Sequence, residues 1–152
     1  MLYCGIDPGK EGGLALITES NIMNYSKMKS DYEFVKEIER LIEFNDNIIF
    51  VIEKVGAMTG QGATSIFTFG FNTGYMYGVL HTLRQRLVEV HPIKWKKHFS
   101  IPGKKPSPKP SNEKTTKIVR QYYPEMIDVS FHSGIYDAIL IARYQIEKGF
   151  TI

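Results

Sequence analysis

The chain has 152 residues, 43% of them apolar and 23% charged, with a formal net charge of +3. That length and mix describe one soluble globular domain with a full-sized core, and no stretch approaches the roughly 18 unbroken apolar residues of a membrane span. Cys4 is the only cysteine, which excludes an internal disulfide and a thiolate zinc site and fits a reducing compartment.

Residues 2–6 form a short apolar run that ends at Asp7-Pro8-Gly9, a strand followed by a turn. Residues 13–18 and 21–28 read as two further strands joined near Glu19-Ser20-Asn21, completing an antiparallel meander. Ser30 with Glu33 makes a capping box, and Phe34, Ile38, Leu41 and Ile42 follow at helical spacing, so 31–44 is an amphipathic helix. The β-branched run 48–52 reads as a central strand buried on both faces, and it ends at Glu53. A glycine-rich loop over 56–63 leads into a long helix from about Thr64 to Gln85. Gly70, Gly74 and Gly78 lie on one face of that helix, each costing about 1 kcal/mol relative to alanine. Such a stripe implies a close-packed neighbour, with packing inside the chain favoured over a second subunit. Residues 87–91 alternate as a strand, and 92–99 form a short helix. The segment 100–112, SIPGKKPSPKPSN, is a mobile basic proline-rich loop. A helix resumes at about Ser111 or Asn112 and stops before Pro124, and a last one begins near Gly134. The order βββαβαβα with mixed strand directions is an α/β layered domain spanning 1–152.

Charge is unevenly spread. Residues 92–120 hold eight lysines and Arg120 against Glu113, a balance of +8 that leaves −5 for the rest of the chain. The lysines are Lys94, Lys96, Lys97, Lys104, Lys105, Lys109, Lys114 and Lys117, and with Arg120 they form a candidate footprint for a polyanion such as DNA. Three acids occupy positions where polar residues are rare: Asp7 and Glu53 close apolar strands, and Asp137 lies early in an apolar helical segment. Taken singly, each has an ordinary reading as a turn residue, an ion-pair partner or a first-turn helix acid. Together, on neighbouring strands with the last helix facing them, they form a carboxylate cluster that needs cations. Oxygen ligands without thiols point to Mg²⁺ or Mn²⁺, and two such ions could serve phosphodiester hydrolysis.

The pieces "GIDPG…GGLALI", "VIEKV", "GQGATSIFTFG…G…G" and "HSGIYDAILIARY", in that order, resemble the RuvC-type Holliday-junction resolvases, and most of all their small phage-type branch. The resemblance implies a ribonuclease H-like mixed five-stranded sheet flanked by helices. It also implies a homodimer that nicks two opposed strands of a four-way junction, with two Mg²⁺ or Mn²⁺ ions per site. It carries metal-ligand roles onto Asp7, Glu53 and Asp137, and it makes Lys114 or Lys117 a candidate catalytic lysine. The expected compartment is a cytoplasm, that of a host if the chain is viral, with no leader peptide and no membrane partner. The pattern departs from the family at the fourth ligand, where Gly134 and Ser133 replace an acid. His132 has two readings, a metal ligand or a loop histidine before a helix capped by Ser133.

Trp95 among Lys94, Lys96 and Lys97 could stack on a base, but more simply anchors the short helix. Phe67, Phe69 or Phe71 could wedge into a junction, with core packing as the default. Two readings compete with the nuclease. One is a junction-binding protein without catalysis. The other is the phosphate-binding hairpin of sugar kinases and actin-like ATPases, which "GIDPGKEGGLALI" also resembles, but 152 residues hold one such core where those proteins pair two.

Overall fold

A computed structural model describes residues 1–28, 31–54, 56, 62–102 and 109–149, and of 109–111 the backbone alone. The Ser30 cap, most of the glycine-rich loop and of the proline-rich loop, Lys104, Lys105 and the Lys109 side chain therefore lie outside the described residues. β1 (Leu2–Asp7), β2 (Gly13–Ile17) and β3 (Ile22–Lys27) form the antiparallel meander. α1 (Asp31–Phe44) returns the chain, so that β4 (Ile48–Glu53) lies parallel to β1. α2 (Ala63–Thr82) leads to β5 (Arg86–Val90), parallel to β4. The sheet order is β3-β2-β1-β4-β5. α3 (Pro92–His98), α4 (Lys109–Tyr122), a 3-10 turn (Pro124–Asp128) and α5 (Ser133–Lys148) follow.

Strand alternation sorts the apolar side chains into two cores. Tyr3, Ala15, Ile17, Ile49, Val51 and Val90 pack with α3, α4 and α5. Cys4, Ile6, Leu14, Leu16, Phe50 and Ile52 pack with α1 and α2. β1 and β4 are apolar on both faces because both faces are covered. The backbone of α5 lies directly on the meander. A Cβ at Gly5 would sit 1.8 Å from the Ala138 carbonyl oxygen, and one at Gly134 2.1 Å from the Glu11 oxygen. Gly12 and Gly134 form a bridge there. These are the positions where only glycine fits.

The α2 stripe is the reverse case. Among the described residues, a Cβ at Gly70, Gly74 or Gly78 would meet nothing within 4 Å, so no described residue packs against the stripe. The helix touches the rest through its C-terminal half, where Met76 and Leu80 are buried and the Tyr75 hydroxyl donates to the Asp31 carbonyl at 3.1 Å. Phe67 and Phe71 consequently stay 74% and 58% exposed, with their rings 6.4 Å apart. The default of core packing fails for these two residues. α2 also ends earlier than its periodicity suggests, because Arg84 turns left-handed at φ 54°. α4 begins at Lys109, ahead of the expected Ser111 or Asn112.

Candidate active site at the carboxyl edge of the sheet

β1, β4 and β5 run parallel, so their carboxyl ends share one edge. Ile6 pairs with Ile52 at the last register position of β1 and β4, and the next residues are Asp7 and Glu53. Both continue the odd-numbered series that faces α5. The Asp7 carboxylate accepts the Gly9 N–H at 3.0 Å, the turn expected of Asp-Pro-Gly. Burial raises its pKa, opposed first by that N–H and then by the positive charges of Lys96 and His132.

Asp137 stands one turn into α5. Burial first, and then the Asp7 charge, push its carboxyl up to about 7; Lys96 opposes the rise and Glu53 adds to it. Asp137 therefore feels both of the other acids across the edge. All three donors are carboxylate oxygens, and Asp7 and Asp137 sit where ionisation is disfavoured, which is the chemistry of a site suited to a hard divalent cation. Among the described residues, no three His, Cys, Asp or Glu side chains are gathered into a group that could hold one ion. The acids share a field without sharing a coordination shell.

α3 starts where β5 ends, at the same edge, and it supplies two residues to the acids. Trp95 is fully buried, which removes it from base stacking, and its Nε1 donates to Glu53 Oε1 at 2.9 Å. The charge of Lys96 acts on both Asp7 and Asp137. Neither link was singled out in the sequence. Their signal was positional: a short helix that follows a strand parallel to β4 must begin beside Glu53.

His132 is the N-cap of α5, with Nδ1 accepting the Ile135 N–H at 3.4 Å. Ser133, expected to be the cap, is instead the first helical residue and is exposed. Lys114 and Lys117 are exposed on α4, and neither is among the charges acting on Asp7 or Asp137. Lys94 and Lys97 are exposed on α3. Arg120 donates to the Met126 and Val129 carbonyls at 3.3 Å each, tying down the 3-10 turn.

No family model matches the chain, and no curated protein matches it. Solved structures do. RuvC of Thermus thermophilus in complex with a Holliday junction substrate superposes with a TM-score of 0.71 at 15% identity, over 98% of this chain and 96% of that one. The fowlpox virus resolvase, in complex with Holliday junction DNA, gives 0.57 at 12% identity, over 97% and 99%. The yeast mitochondrial Holliday junction resolvase Ydc2 gives 0.56 at 15% identity, over 92% and 75%. At these identities the likeness speaks for architecture, and the chain has the ribonuclease H-like fold of the RuvC-type Holliday-junction resolvases.

Proposed function

We propose that this chain is a metal-dependent endonuclease that resolves four-way DNA junctions by paired nicking of opposed strands. The observation that carries the reading is the delivery of Asp7, Glu53 and Asp137 to one sheet edge by β1, β4 and α5, in a fold shared over nearly the whole chain with junction resolvases. When bound, two divalent ions supply Lewis-acid stabilisation of the charge that develops on the scissile phosphate. Asp7, Glu53 and Asp137 are the residues that would hold those ions, and Asp137 would do so as the carboxylate. The Lys96 charge, which acts on Asp7 and Asp137, would offset their mutual repulsion and offer a positive charge to the phosphate. Lys96 joins Lys114 and Lys117, to which the resemblance gives that role, as a candidate catalytic lysine. Lys94, Lys97, Lys114 and Lys117 are free to hold the flanking backbone.

Two opposed nicks need two copies of the site, and an isologous dimer supplies them. The open glycine stripe of α2 with Phe67 and Phe71 is the surface we assign to that contact. Sedimentation of Gly74→Leu tests it: the variant should fold but dissociate, and an unchanged dimer would remove α2 from the interface.

The competing reading is a junction-binding protein without catalysis. It is favoured by the lack of a gathered metal-holding group among the described residues and by the absence of an acid at 133 or 134. One assay separates the two. A labelled four-way junction should be cut in Mg²⁺ and left intact in EDTA. Asp7→Asn, Glu53→Gln and Asp137→Asn should each abolish cutting while still binding the junction. Binding without cutting by the wild type establishes the competing reading.

A further inference from the structure

We propose that Trp95 is a positioning residue, whose indole N–H fixes the Glu53 carboxylate in the orientation that presents its other oxygen to a divalent cation. The inference rests on the endonuclease reading, in which Glu53 is a metal ligand. The geometry supports it in three steps. The donor–acceptor distance is 2.9 Å from Nε1 to Oε1, an ordinary hydrogen bond. The ring that carries the donor is fully buried in the core formed with β4 and α5, so it is held in place. The short helix that carries the ring is itself pinned at its C-terminal end. His98 Nε2 lies 2.6 Å from Glu147 Oε2, its ring packs edge-on against Tyr144 at 5.3 Å, and the neighbouring Phe99 is buried. A rigid donor at a ligand's outer oxygen is the arrangement by which second-layer hydrogen bonds orient metal ligands. The plain alternative is a core tryptophan whose buried N–H merely needs an acceptor.

Trp95 is the only tryptophan. Expression with benzothienylalanine in place of tryptophan therefore alters this side chain alone, keeping the bicyclic shape but replacing the N–H with sulfur. Mn²⁺ binding is read from the paramagnetic resonance of the free ion, and junction cleavage is titrated with Mg²⁺. Melting in EDTA confirms that the analogue is folded. We expect the apparent Mn²⁺ dissociation constant and the half-maximal Mg²⁺ concentration to rise about 10–100-fold. The turnover rate at saturating metal should fall by less than the midpoint moves. Trp95→Phe should shift the midpoints in the same direction, and in a Glu53→Gln background the substitution should no longer change Mn²⁺ binding. A folded analogue with wild-type Mn²⁺ affinity overturns the positioning role while leaving the endonuclease reading intact. So does one that loses turnover without moving the metal midpoint. Wild-type protein that neither binds Mn²⁺ nor cuts the junction overturns both.

Discussion

Gly5→Ala tests whether the contact between β1 and α5 sets the site. The added Cβ would lie 1.8 Å from the Ala138 carbonyl oxygen and 3.1 Å from the Ala142 Cβ. Real Cβ contacts rarely fall below 3.0 Å, so strand and helix must separate by about 1.2 Å or more. Ala138 follows Asp137 on α5, and Gly5 lies two residues before Asp7 on the same face of β1. The displacement therefore changes the distance between two of the three acids. Overpacking of this kind costs about 1–3 kcal/mol. For a chain of this size that lowers the melting temperature by roughly 2–12 °C. A catalytic group misplaced by about 1 Å costs on the order of 100-fold in rate. Thermal melts in EDTA and single-turnover junction cleavage on the folded fraction measure the two effects separately. Gly74→Ala, whose added Cβ meets no described residue within 4 Å, should instead raise the helix stability of the monomer by up to about 1 kcal/mol. If Gly5→Ala melts with the wild type and cuts at the wild-type rate, the close contact does not position the acids.

Three further outcomes follow from the same geometry. Asp137 is raised from 3.8 to about 7, so between those pH values the unfolded chain loses a proton that the folded chain keeps. Metal-free stability should therefore fall as pH rises from about 4 to about 7, by at most about 4 kcal/mol, and level off above; Asp137→Asn should flatten the slope in denaturant titrations, and a wild-type profile in that variant would refute the assignment. If about six phosphates are neutralised, the slope of log K against log salt for junction binding is roughly −5, and neutralising Lys94 with Lys97 should reduce its magnitude by about 2; an unchanged slope takes α3 off the DNA. Ser133→Asp places an acid on the exposed first residue of α5, one turn before Asp137, and should lower the Mg²⁺ needed for half-maximal cleavage, whereas Gly134→Asp should misfold because its Cβ would strike the Glu11 carbonyl.

Much of this architecture is local and was legible from residue order. The alternation and apolar runs of β1–β5 and the 3.6-residue spacing of α1 are short-range consequences of which faces are covered, and they place element boundaries to within a few residues. Asp7, Glu53 and Asp137 stood out because a carboxylate closing or interrupting an apolar run has few structural uses. Contacts between distant segments were decided only by the tertiary structure. Spacing showed that Gly70, Gly74 and Gly78 share a face, but it could not say what faces them, and in the fold none of the described residues lies against that face. Gly5, Gly12, Gly13 and Gly134, unremarked as close-packing glycines in the sequence, are pressed against other backbone atoms. The same holds for Lys96, which was one lysine in a basic run until α3 was set beside the acids, and for His132, which caps α5. It holds too for Trp95 and Glu53, 42 residues apart. Periodicity reports which way a side chain points relative to its own element. What it meets depends on how the elements pack, and that packing is settled by the whole core at once.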